Sequence, residues 1–486
     1  MRLLLFILIL IPAIARSATS FTEFYCNSTG TNINAGTTTN ATPTYSTTGG
    51  AWVQATRTFT KVGADLSAVS VGMFASVFPD GSTTPVFISR ITAVDNGADT
   101  ITLSDTVKTG TAPTDSASGE SINVEGAWYG PWYSGATVDN TPFNLVNDLV
   151  TNTSLHAVRA NLKNDRQYFV TNLVHSSNGV HFEGMTLTPG DGGRVEMFGS
   201  SVGAGHVLFT MSGANCNLVN FTLATNGTTS TSVGLSVTAT ECSFRGLVLR
   251  NFRGYGFSAN VGCVVYECEA TACNQANTAG QGGMLFTTSA GIIAIRVNSH
   301  DNTGESSGIV NANVAQFINC IFDSNGRDGI LSTSASSTLV SGCDFYNNGS
   351  NGVNFTVATA TVLHIENSNF IDNGTYGINS TGANLRNGVV YNCGFGTGTA
   401  ANGSGDVNTS QIGSVNVLGS VSYAANVTPW VDPANGDFDI NLEAAKYAGR
   451  GGFLPTATLG YPDIGSAQAT NAASAGSVVS FPIFRR

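Results

Sequence analysis

An asparagine returns through the middle of the chain at Asn251, Asn274, Asn302, Asn325, Asn348 and Asn373, in steps of 23, 28, 23, 23 and 25 residues. Each is followed four to nine residues later by glycine and an apolar residue: Gly256-Phe257, Gly283-Met284, Gly308-Ile309, Gly329-Ile330, Gly352-Val353 and Gly377-Ile378. A period in this range is the mark of a solenoid, in which every repeat contacts only its neighbours. The repeat is built from turn formers and β formers, so its coils are expected to be strands.

Aligned on the asparagine, Phe322, Phe345 and Phe370 stand three residues before it, and Cys320, Cys343 and Ser368 five before. Polar and variable residues alternate with them. That period of two describes a half-buried strand with Phe and Cys pointing inward. The asparagine ends the strand, where a non-extended conformation is tolerated and its amide can bond the next coil. Parallel crossovers are right-handed in nearly all cases. The expected fold is all-β, a right-handed parallel β-helix whose coils advance about 4.8 Å each.

Composition agrees with stacked β-coils. Charged residues make up 10% of the 486 positions, and there are 57 glycines. No sustained helical period runs through the chain. The net charge is −11. With no basic run to displace counterions, nucleic acid is excluded as a partner. An acidic surface also repels polyanions such as pectate or alginate, which would need a local basic patch or a bridging cation.

The first residues, MRLLLFILILIPAIARSATS, read as a secretory signal: one Arg, a dozen apolar residues, then small residues. The run is too short to span a bilayer, which takes about 20 residues. The expectation is a secreted, extracellular chain with no membrane insertion after cleavage. Nine cysteines remain, at 26, 216, 242, 263, 268, 273, 320, 343 and 393. The odd number leaves at least one unpaired. Cys320 and Cys343 are in phase with the repeat, so they are expected to stack as small apolar residues.

Residues 37–138 do not follow the repeat. Hydrophobic runs there alternate with turn signals at Pro79-Asp80-Gly81 and Asp95-Asn96-Gly97, giving a small antiparallel β module. Residues 142–163, opening on Pro142, suggest an amphipathic helix that caps the first coil. The organisation read from the sequence is therefore a signal peptide (1–17), an opening strand and turn (18–36), an inserted module (37–138), a capping-helix region (139–163), the β-helix (164–415), a closing segment (416–466) and a tail (467–486).

The segment from Phe24 through Cys26 and Gly30 to Gly36 resembles the opening of secreted right-handed β-helix proteins of the pectate-lyase-like superfamily. Gly436-Asp437-Phe438-Asp439-Ile440, Ala448-Gly449-Arg450-Gly451 and Asp463-Ile464-Gly465-Ser466 are similar to the closing segment of the same proteins. In that family a Pro-Phe helix usually follows the opening. Here Pro142-Phe143 arrives about a hundred residues later, which is what marks 37–138 as inserted. The resemblance implies the fold and leaves activity open, since the superfamily holds lyases, hydrolases, epimerases, adhesins and phage tailspikes. The Asn-Thr-Asp, Asp-Asp and Gly-His-Gly elements of polygalacturonases are absent, and so is the Asp-His signature of the classical pectate lyases.

Outward positions six, four and two residues before the asparagine form columns on neighbouring coils. They place Arg296, Asn298 and His300 on one coil, Asn319, Ile321 and Asp323 on the next, and Asp344 and Tyr346 on the one after. His300, Asp323 and Tyr346 then share a column, with Arg296 and Asp344 beside it. A lyase needs a base for the proton α to a uronate carboxylate, and an Arg or cation to neutralise that carboxylate. His300, Tyr346, Arg296 and Asp323 are the catalytic candidates. Asp344, Asn298 and Asn319 are candidates for holding substrate, with Trp128 and Trp132 of an aromatic cluster that more often packs a junction. Asp323 and Asp344 are candidate Ca²⁺ ligands or a hydrolytic carboxylate pair. The opposing reading is a solvated polar face with no chemistry. The balance favours a protein that presents a carbohydrate-binding or adhesive surface to an extracellular polysaccharide or glycan. The alternative is a polysaccharide lyase or glycoside hydrolase.

Overall fold

The computed structural model describes residues 22–26, 44–124 apart from 72 and 82–86, 158–163, 167–169, and 172–440 apart from 187–190, 200–206, 226–232, 288–290, 313, 334–336, 357–362, 381–387, 397–400, 409–414, 419–420, 424–427 and 436. The signal segment, the tail, Trp128, Trp132 and residues 142–157 lie outside the described residues. The chain divides into two compact units, one of Ser20–Val202 and His206–Thr225, the other holding Asn226–Arg486.

In the first unit, strand Thr22–Cys26 pairs in parallel with Val158–Lys163, which pairs in turn with Val180–Met185. The chain thus leaves a coil after Cys26 and re-enters the neighbouring one at Val158. Between these strands lies a closed antiparallel barrel of six strands, Tyr45–Val53, Thr58–Thr60, Phe74–Phe78, Phe87–Asp95, Thr100–Gly110 and Ser116–Val124. Trp52, Phe59, Ile91, Ile101 and Ile122 fill its core. The helix expected over 142–163 is corrected at its end. Val158–Lys163 alternates with a period of two and is paired on both sides, so it is a strand. Among the described residues no α-helix occurs.

In the second unit three strands make each coil, and each stacks on its counterpart in the next. Sheet I contains Cys242–Arg245, Cys263–Tyr266, Ile292–Ile295, Ala315–Ile318, Thr338–Ser341, Leu363–Glu366 and Gly388–Tyr391. Sheet II contains Val248–Arg250, Glu269–Thr271, Asn298–His300, Ile321–Asp323, Asp344–Tyr346 and Asn369–Ile371. Sheet III contains Phe257–Ala259, Gln281–Phe286, Ser306–Asn311, Ile330–Ser332, Val353–Phe355 and Tyr376–Asn379. All pairings are parallel.

The inward residues pile into files, as the spacing predicted. Phe322, Phe345, Phe370 and Phe395 stack with ring centroids 5.1, 4.7 and 5.5 Å apart. Cys320 offers its backbone N–H to Cys343 Sγ at 3.4 Å, and Cys343 offers its own to Ser368 Oγ at 3.0 Å. Among the described residues eight cysteines are buried as free thiols.

The recurrent asparagine bonds the neighbouring coils through its side chain, as expected, but from Asn302 to Asn373 its own backbone is not the left-handed one. Asn302, Asn325, Asn348, Asn373 and Asn402 are buried, and each of the first four donates Nδ2–H to the next one's Oδ1 at 2.8–2.9 Å. The left-handed backbone falls on the residue before it, at Asp301, Ser324, Asn347 and Asp372. Upstream the ladder position is held by Cys273, whose N–H reaches Asn302 Oδ1 at 2.9 Å. Asn274 is therefore displaced by one residue from the column it was aligned on.

Candidate functional site

The strands of sheet II are three residues long because a left-handed corner stands at each end. Before them come Arg296, Asn319, Gly342 and Asn367, with φ of 52°, 52°, 63° and 49°. After them come Asp301 and its counterparts. Each strand therefore presents two outward positions. His300 pairs in register with Asp323, and Asp323 with Tyr346. The expected column exists, in the order the spacing gave.

His300 is held at both ring nitrogens. Nδ1 lies 2.8 Å from Asp301 Oδ2, and Nε2 lies 3.1 Å from Glu269 Oε1. Burial, the largest single influence, favours the neutral ring. The bonds to Glu269 and Asp301, with the nearby charge of Asp323, outweigh it and lift the imidazole to about 9. At neutral pH the ring is a cation among three carboxyl groups.

Asp323 is 8% exposed. Burial raises its carboxyl, the charge of His300 opposes this, Asp301 adds to it, and the balance lies at about 6. Tyr346 is covered. Its ring meets Trp430 edge-on at 5.7 Å and Phe438 at 6.2 Å, and those two rings are 5.1 Å apart. Trp430 and Phe438 come from the antiparallel pair Trp430–Asp432 and Asp437–Ile440 of the closing segment. Burial raises the Tyr346 phenol above its usual value, with Asp372, Asp323 and Asp432 adding to the effect.

Two expected neighbours are elsewhere. Arg296 is not on the strand with His300. It occupies the left-handed corner before it, where its Nη1 is 3.2 Å from Glu267 Oε1 and 3.3 Å from the Tyr266 hydroxyl. The reason is the corner itself, which turns the position six before the asparagine out of the sheet. Asp344 is outward in register with Ile321, yet fully buried. It accepts Asn369 Nδ2–H at 2.8 Å, and the Tyr423 hydroxyl bonds Asn369 from the other side. Asp323 pairs with Tyr346 rather than Asp344, so the two carboxyls stand two residues apart on adjacent strands. Among the described residues no three His, Cys, Asp or Glu side chains are grouped to hold a metal ion.

The substrate-holding candidates divide in the same way. Asn298 sits half-buried, in register between Glu269 and Ile321, and its Oδ1 accepts no hydrogen bond. Asn319 is a buried corner residue, and neither atom of its amide has a partner. Glu305 and Arg327, on the rim, pair with each other at 3.5 Å. Asp328 is buried under Asn351 and Asn354. Glu269 and Asp301, the groups that decide the state of His300, were missed. Glu269 shares the column of Asn298, but alignment on Asn274 shifted that coil by one residue and hid it.

Residues 226–416 match the family model described as the right handed beta helix region. This is the handed, coiled fold that the resemblance to the pectate-lyase-like superfamily implies. No curated protein matches the chain. Among solved structures it is similar to the A-module of Azotobacter vinelandii mannuronan C-5 epimerase, at 13% identity over 60% of this chain and 92% of that one, with a TM-score of 0.41. It is similar to a pectate lyase at 12% identity, over 64% and 88%, with a TM-score of 0.40. A periplasmic alginate epimerase shares 12% identity over 55% and 77%, with a TM-score of 0.35.

Proposed function

We propose that the chain is an exported β-helix protein that binds an uncharged extracellular glycan without transforming it. The observation that carries this reading is the state of His300. A ring bonded to a carboxylate at each nitrogen, and charged at neutral pH, has no lone pair with which to take a proton. The other parts of a lyase are engaged as well. Arg296 is bonded to Glu267, and one side of the Tyr346 ring is packed against Trp430 and Phe438.

What remains on sheet II suits hydroxyl groups. Glu269 and Asp301 are solvent-accessible acceptors. With a net charge of −11, a uronate polymer is the least favoured partner.

The reading is tested by two assays on the same preparation. Incubation with acidic polysaccharides, with and without Ca²⁺, is expected to release no unsaturated product absorbing in the near ultraviolet. A glycan array is expected to show binding to neutral glycans that weakens in Glu269→Ala. Unsaturated product that disappears in His300→Ala would establish a lyase instead.

A further inference from the structure

The outer face of sheet I is unlike that of sheet II. Its two outward columns follow from the strand registers. One runs Ser243, Val264, Ile293, Gln316, Leu339, His364. The other runs Arg245, Tyr266, Ile295, Ile318, Ser341, Glu366. Val264, Ile293, Leu339, Tyr266, Ile295 and Ile318 are all partly exposed. A contiguous apolar panel over several coils marks a surface that something covers. We propose that it is covered by a second copy of this chain, in a two-fold dimer whose facing coils run in opposite directions.

The columns carry their own complement. In a two-fold interface residue i meets residue j while j meets i. With the axis between the strands of Ile295 and Ile318, those two residues face each other. Tyr266 then faces Ser341, and Arg245 faces the partner's Glu366. In the other column Val264 faces Leu339, Ile293 faces Gln316, and Ser243 faces His364. Ile295 with Ile318 and Val264 with Leu339 set apolar against apolar, and opposite charges meet at both ends. A parallel two-fold arrangement, with its axis along the helix, exchanges the two columns and sets Arg245 against the partner's Ser243, with no carboxylate to meet it.

The ends are prepared for this. Glu366 is fixed by Ser341 Oγ–H at 2.9 Å and by His364 at 3.0 Å, so its carboxylate is held in place. Arg245 is exposed and lies 3.4 Å from Glu267, a surface pair of little strength. A glycan is the weaker occupant here, because the Tyr266 ring on which a sugar would stack lies under the Arg245 guanidinium, 5.4 Å from its centroid.

The test is light scattering of the full chain after size-exclusion chromatography, with circular dichroism to confirm folding. The wild type is expected at twice the chain mass, and Ile318→Lys and Ile295→Lys at the monomer mass with unchanged spectra. Arg245→Glu and Glu366→Arg are each expected to weaken the dimer by about tenfold or more, and the double variant to restore it. Glu366→Gln, which keeps an acceptor for Ser341, is expected to weaken it less than Glu366→Arg. A wild type that stays monomeric at its highest soluble concentration overturns the proposal. So does a dimer indifferent to Ile318→Lys, or a double variant that remains a monomer. A monomer that loses glycan binding on Ile318→Lys would also overturn it, assigning this face to the glycan.

Discussion

Asn325 donates its Nδ2–H to Asn348 Oδ1 at 2.9 Å inside the coil, and Asn348 repeats the act toward Asn373 at 2.9 Å. Each amide also donates to a backbone carbonyl, Asn348 to that of Phe322 at 2.9 Å. The ladder therefore satisfies polar backbone that the turn would leave bare. Removing one rung leaves several buried groups without partners, each costing about 1–3 kcal/mol. Asn348→Ala is expected to destabilise the fold by about 2–4 kcal/mol in denaturant unfolding. Asn347→Gly, one residue away, exposed and in the left-handed conformation that glycine adopts freely, should change it by under about 0.5 kcal/mol.

The corner before sheet II holds a second, broken ladder. Asn392 donates to Asn367 Oδ1 at 3.0 Å, but the next corner residue is Gly342, and the Asn319 amide beyond it has no partner. Gly342 has a φ of 63°, a conformation Asn tolerates better than other residues with a side chain. Gly342→Asn should join the two halves and raise stability by about 1 kcal/mol. Thermal unfolding of the two chains side by side checks this.

His175, in the first unit, lies edge-on to Phe182 with ring centroids 4.9 Å apart and is fully buried. Burial pushes its imidazole down to about 4, with the Ser177 backbone a smaller opposing influence. The unfolded chain binds the proton near 6.5, so the unfolded state gains protons first as the pH falls. Stability from this residue is whole above about 6.5 and is lost toward 4, amounting to about 3 kcal/mol at most. His175→Leu should flatten the acid limb of a stability profile between those values while leaving the limb above neutrality in place.

The files of the core were legible because side-chain period and coil period are both short-range facts. Phe322, Phe345 and Phe370 stack where the spacing put them. Arg296 was misplaced because a strand and a left-handed corner look alike when both carry polar residues. Only the backbone shows that the strand begins at Asn298. Asn274 was misassigned because a coil with one additional residue still offers an asparagine nearby, while the ladder position itself is filled by Cys273. The cover over Tyr346 was beyond sequence reasoning for another cause. Trp430 and Phe438 lie more than eighty residues further along the chain, and no periodicity links them to it.

The state of His300 decides between a bound cation and a working base. Its folded value of about 9 lies above the unfolded 6.5, so the stability it lends is complete below 6.5 and disappears as the pH rises through 9. A pH titration of its imidazole resonances by NMR, assigned through His300→Gln, measures this directly. The midpoint is expected near 9, falling toward the ordinary histidine value in Glu269→Gln. A midpoint at or below 6.5 in the unaltered chain would show a neutral ring at physiological pH and contradict the assignment of this face to binding.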